Sequence, residues 1–127
     1  MQKIVLPLLI SLSVLACAHN AQPLYNAEFS VPTAATMEDI SKAIKSALIA
    51  HEWTIQKEEP EKIEARIFTR SHKAEIVINY NVNRIRIQYV SSDNLNYDKS
   101  ENTIHRNYNK WIHFLERDIS NNLALAK

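Results

Sequence analysis

Glycine does not occur once in the 127 residues of this chain. Its absence removes the residue that accepts positive φ at no steric cost, so tight turns fall to asparagine and its like. It also excludes the glycine-flanked nucleophile elbow of hydrolytic triads. Cysteine occurs once, as Cys17, which excludes an internal disulfide. Neither sign of charge is in excess: 15 Lys and Arg stand against 14 Asp and Glu. Nothing in that balance points to a nucleic-acid partner. No internal repeat is present, and the length suits one small domain.

The first residues stand apart from this polar balance. Met1, Gln2 and Lys3 form a short positive start, and Ile4 to Val14 is apolar except for Pro7, Ser11 and Ser13. Residues 1–16 therefore read as a secretory signal peptide. A dozen helical residues rising roughly 1.5 Å each fall short of a hydrocarbon core of roughly 30 Å, which disfavours a spanning helix. "VLAC", ending at Cys17, resembles the lipobox of bacterial lipoproteins, in which the thiol is acylated before cleavage. That resemblance implies lipidation of Cys17 and a mature chain attached to the membrane without crossing it. Ala18 follows the cysteine, where an inner-membrane retention signal would have aspartate. For a Gram-negative host this implies the outer membrane, with the domain facing the periplasm. Removal of the leader takes away Lys3 and no acid, leaving the mature charge near zero.

Residues 17–35 are expected to be the lipidated cysteine and a tether, since they carry Pro23 and Pro32 and no sustained period. Phe29 and Val31 within them suit a short edge strand. Residues 36–127 are expected to form a single domain. Thr36 is a plausible helix cap with Glu38 and Asp39 in the first turn. Met37, Ile40, Ala43, Ile44, Ala47 and Leu48 follow at spacings of three and four, which predicts an amphipathic helix ending near His51. The period then changes to two. Trp53 and Ile55, then Ile63, Ala65 and Ile67, then Ala74, Ile76, Ile78 and Tyr80, then Ile85, Ile87 and Tyr89 predict four strands. The "NVN" at 81–83 is expected to turn through positive φ at asparagine. From Ile104, the residues Tyr108, Trp111, Ile112, Leu115 and Ile119 predict a second amphipathic helix. The expected fold is an α+β two-layer sandwich in the order α-β-β-β-β-α: a four-stranded antiparallel meander with both helices packed on one face. Trp53, Ile76, Ile87, Trp111 and Leu115 are expected in its core.

Three stretches, "RSHKAEIVINY", "SSDNLNYD" and "IHRNYNKWI", resemble a family of small uncharacterised proteobacterial lipoproteins over roughly Ile40 to Ile119. The resemblance implies a lipoprotein with a small α+β domain and carries no catalytic residue. Where those relatives have glycine before the tryptophan, this chain has Glu52 before Trp53.

The chemical candidates are few. His51, His72, His105 and His113 include no close-spaced pair of the kind that ligates zinc. His105 and His113 on one helix are separated by roughly 12 Å of rise. No metal and no cofactor is expected. Ser71, His72 and Asp98 form a triad only on paper. Arg66, Arg70, Arg84 and Arg86 could form a basic stripe on the outward sheet face for an anionic partner, or sit among Glu64 and Glu75 in a mixed, solvated face. Phe68 and Val77 on that face hint at a protein partner.

The polar stretch "SSDNLNYDKSENTIHRNYNKW", residues 91 to 111, admits two readings. Asn94, Tyr97, Asp98, His105 and Asn109 either clamp the path from the last strand into the final helix or display a recognition patch there, and the clamp is the expectation. Two classes of function follow. One is a non-catalytic binding or scaffolding module of the cell envelope, its partners the membrane through Cys17 and an envelope protein or peptidoglycan. The other is a small envelope enzyme or ligand-binding protein with a pocket at the helix-sheet junction near residues 94–109.

Overall fold

The computed structural model of the protein describes residues 2–3 and 20–126; Cys17 and nearly all of the leader lie outside them. The first helix, α1 (Met37–Ala50), starts where the sequence places it. Thr36 Oγ1 accepts from the Asp39 amide at 3.1 Å while the Asp39 carboxylate accepts from the Thr36 amide at 3.0 Å, a reciprocal capping box. Ile40, Ala43, Ile44, Ala47 and Leu48 are buried along one face.

How α1 ends explains the missing glycine. The Trp53 amide donates back to the Leu48 carbonyl at 2.9 Å and the Glu52 amide to Ile49 at 3.1 Å, the paired bonds of a Schellman ending. That ending needs a left-handed residue, usually glycine, and here Glu52 supplies it at φ 65°. The side chain pays a steric penalty of roughly 1 kcal/mol in this region. Glu52→Gly is therefore expected to raise stability by about 0.5–1 kcal/mol, read as a higher midpoint in urea with an unchanged slope. A variant no more stable than the parent would show that Glu52 makes a compensating contact.

After α1 come β3 (Thr54–Glu59), β4 (Lys62–Thr69), β5 (His72–Tyr80) and β6 (Arg84–Asp93), preceded in the chain by β1 (Ala21–Pro23) and β2 (Ala27–Ser30). The meander β3-β4-β5-β6 is present, but the sheet has five strands, in the order β2-β6-β5-β4-β3. The added strand, β2, pairs antiparallel with β6 from Ala27 opposite Ile87 to Ser30 opposite Arg84. Beyond it, β1 pairs antiparallel with β7 (Thr103–His105) in a separate two-stranded sheet, and α2 (Arg106–Leu125) follows at once. The short edge strand expected around Phe29 is thus β2, whereas Ala21–Pro23, expected in the tether, also enters the domain as a strand. Ile104, expected to open the last helix, lies instead in β7 and is fully buried.

The alternation in β4, β5 and β6 sends Ile63, Ala65, Ile67, Ala74, Ile76, Ile78, Ile85 and Ile87 inward. They form one continuous core with the apolar faces of α1 and α2, including Tyr108, Ile112, Leu115 and Ile119. Trp53, Ile76, Ile87 and Leu115 are buried as the period requires, whereas Trp111 is only half-buried at the edge of this core. On a helical wheel it lies roughly 70° from the centre of the line through Tyr108, Ile112, Leu115 and Ile119.

The turns also differ from expectation. Asn81 and Asn83 do not adopt positive φ; the Asn81 side chain instead accepts from the amides of Asn83 at 2.8 Å and Arg84 at 3.0 Å. Positive φ falls on Glu52, Glu61, Arg70, Asn94, Asn96 and Asn102. Half of these are charged residues that sequence propensity would not choose, a direct outcome of a chain without glycine.

Candidate functional site

Between β6 and α2 the polar stretch is tied down by short-range bonds. Asn94, at φ 59°, donates through Nδ2 to Ser71 Oγ at 2.9 Å, and its carbonyl accepts from His72 Nδ1 at 2.7 Å. These bonds fix the end of β6 to the β4–β5 turn. Asp98 accepts through one carboxylate oxygen from the Ser100 hydroxyl at 2.7 Å and from the amides of Ser100 and Glu101 at 2.9 and 3.1 Å. Those bonds, the Ser100 hydroxyl first, hold its carboxyl below the usual carboxylate range. His105 caps α2, its Nδ1 accepting from the Asn107 amide at 3.1 Å, while its own amide bonds the Leu95 carbonyl at 2.8 Å. Leu95 is buried beneath this loop, and Tyr97 lies against the ring of Tyr89 at 4.4 Å between centroids.

Ser71, His72 and Asp98 are each committed to these other partners, so no triad is assembled. His72 and His105 do approach, with ring centroids 6.3 Å apart. Among the described residues no group of three or more His, Cys, Asp or Glu side chains is placed to hold a metal ion.

Asn109, expected in the clamp or patch with His105, is the one buried polar residue among the described residues. Its Oδ1 accepts from the Tyr25 amide at 3.0 Å and its Nδ2 donates to the Pro23 carbonyl at 2.8 Å. A single side-chain amide thereby replaces a strand's worth of pairing for the chain leaving β1. The first residues of the domain are closed by two further bonds, from the Arg106 amide to the Asn20 carbonyl at 2.7 Å and from the Leu24 amide to Asn102 at 2.9 Å. No local signal marks Asn109, because its partners lie 84 and 86 residues away.

Tyr25 completes this junction. Its hydroxyl donates to Glu116 at 2.6 Å and its ring stacks on His113 at 4.1 Å. Burial, then the hydrogen bond to Glu116 and its charge, push the phenol up to about 12. Because the folded value is raised, the linked stability is fully present below about pH 10, the ordinary tyrosine value, and is lost as pH rises toward the folded one. Tyr25→Phe is expected to lower stability by about 1–2 kcal/mol near neutrality. The gap between parent and variant should narrow above about pH 10 in thermal melts. A gap constant with pH would place the loss in packing alone.

The outward sheet face is a checkerboard. Arg84 and Arg86 share the Glu28 carboxylate at 2.6 and 3.3 Å. Arg66 stands opposite Glu75 in the β4–β5 register, while Lys73 and Lys62 lie near Glu75 and Glu64, each at 3.7 Å. Arg70 is not on this face; it occupies the left-handed position of the β4–β5 turn, at φ 54°. Phe68 is 72% exposed.

Sequence reasoning also missed a contact on the opposite side of the domain. His51, the C-cap of α1, donates through Nε2 to Asp118 of α2 at 2.5 Å. Arg117 and His51 together lower the Asp118 carboxyl, Arg117 first. Beside this pair, Trp53, Ile67, Trp111 and Phe114 line an open groove of about 280 Å³. Near residues 94–109 the concavity is a solvent-open hollow of about 500 Å³ between Gln22 of β1 and the first two turns of α2. No protein-family model matches this chain, and no curated protein matches its sequence.

Proposed function

We propose that the protein is a lipid-anchored component of the cell envelope, attached through Cys17 to the outer membrane, whose periplasmic domain is a non-catalytic binding or scaffolding module. The observation that carries this reading is the leader closed by "VLAC", with Cys17 the only cysteine in the chain. The side chains of Asp98, His105 and Asn109 bond nearby or returning backbone and that of Asn94 bonds Ser71, which supports a structural role for all four. No helix among the described residues is long and apolar enough to cross a membrane. Attachment in this reading rests on acyl chains, each buried methylene contributing roughly 0.8 kcal/mol.

Cys17→Ser is expected to abolish incorporation of a fatty-acid analogue and to leave an uncleaved precursor, because a hydroxyl does not replace the thiol that accepts the lipid. Metabolic labelling followed by membrane fractionation reads both. A serine variant that still takes up label would sink the lipoprotein reading.

A further inference from the structure

The position at which the chain enters the domain decides which face would meet the membrane. Three residue steps separate Cys17 from Asn20, a reach of at most roughly 11 Å. Asn20 is bonded to the first residue of α2: the Arg106 amide donates to its carbonyl at 2.7 Å. If Cys17 carries lipid, the start of α2 is held within one to two Debye lengths of the headgroups, a Debye length being roughly 8–10 Å at physiological salt.

The surface presented there is cationic. Arg106, Lys110, His113 and Arg117 recur at helical spacing and are all exposed, forming one stripe along α2. Among the described residues, Arg106 and Lys110 form no ion pair. This distinguishes them from Arg84 and Arg86 on the sheet, which share Glu28. His113 and Arg117 each have a carboxylate neighbour, Glu116 at 3.7 Å and Asp118 at 2.9 Å. Arg106 and Lys110 border the hollow of about 500 Å³ together with Gln22, Asn107, Asn109 and His113. The turn before β7 carries two acids, Asp98, bonded to its own loop, and Glu101.

We infer that the β1–α2 flank is the membrane-facing surface of the domain, with Arg106 and Lys110 set against anionic phospholipid headgroups. The inference rests on the lipoprotein reading for the proximity and on the stripe for the chemistry. Each cation near an anionic leaflet strengthens partitioning roughly fivefold, too little to bind a free domain firmly. A short tether makes the encounter intramolecular, so the same weak attraction suffices to fix orientation. The sheet then faces away from the membrane, and its mixed face is the one open to partners.

The mature protein, extracted in detergent and checked for acylation by intact mass, is reconstituted in vesicles of phosphatidylcholine with or without phosphatidylglycerol. An amine-acylating reagent then reports each lysine by mass spectrometry. On phosphatidylglycerol, modification of Lys110 is expected to slow roughly fivefold or more while Lys57 and Lys73 of the sheet are unaffected, and Arg106→Glu is expected to weaken that protection. Equal Lys110 rates on both vesicles, in protein shown to be acylated, overturn the surface and leave the anchor standing. Protection by inorganic phosphate alone would make the hollow a free-anion site and also overturn it. If mass shows no lipid on Cys17, the anchor reading falls. The surface then stands only if the unacylated chain is still protected at Lys110 by phosphatidylglycerol vesicles.

Discussion

Asn109→Ala is expected to cost about 2–4 kcal/mol, a large share of the stability of a domain this size. The substitution removes a side chain that bonds Tyr25 N–H and Pro23 C=O at 3.0 and 2.8 Å from a site only 6% exposed. Two backbone groups then lose their side-chain partner, and each group left unpaired costs roughly 1–3 kcal/mol to the extent that water does not replace the amide. Asn109→Asp should be no rescue: the carboxylate still accepts from Tyr25, but it sets a negative charge against the Pro23 carbonyl. Thermal melts of both variants, with Asn107→Ala at the neighbouring half-buried position as control, decide it. Amide exchange should accelerate at Tyr25 in Asn109→Ala. Melting within about 0.5 kcal/mol of the parent would mean the amide holds nothing that water does not replace.

The second large effect separates the two tryptophans. Trp53→Ala is expected to cost about 3–5 kcal/mol, because the side chain is 3% exposed and its removal leaves a cavity under the end of α1. Trp53 also closes the Schellman ending through its amide to the Leu48 carbonyl, so its ring and the buried Leu48 side chain both join the core where the helix stops. Trp111→Ala should cost only about 1–2 kcal/mol, since its half-buried ring packs at the margin of the core. Chemical denaturation with both variants measures the difference. Equal losses would show that the groove wall at Trp111 and Phe114 is as much part of the core as Trp53.

The contrast between these residues shows what the amino-acid order makes legible. Elements longer than a few residues reveal themselves by period: α1, the strands β3 to β6 and most of α2 all follow from which positions are apolar. Trp111 has the spacing of a core residue, but spacing gives an angle and not the width of the partner surface, so a residue near the edge of an apolar face is read as central. Strands of three residues, such as β1 and β7, have no period to read; they exist because Ala21 and His105 are brought opposite each other by the rest of the fold. Asn109 is illegible for the same reason. A polar side chain on a helix flank ordinarily meets water, and only the return of Pro23 and Tyr25 to α2 makes it an interior group. The left-handed residues divide similarly: Asn94 and Asn96 suit their φ by chemistry, whereas Glu52, Glu61 and Arg70 take it because tertiary contacts outweigh a local cost.

The joining of the first strands to the last elements also constrains the order of assembly. Helix α1 and the meander β3 to β6 are closed by contacts between neighbours in sequence, which form fast. Strand β2 has no partner until β6 exists, and β1 has none until β7 does. A chain appearing from its amino end must therefore hold residues 20–30 unpaired until nearly everything else has emerged, and seat them last. The segment beside Cys17 would be the final part to dock, leaving it extended and accessible for as long as the carboxyl-terminal helix is still missing.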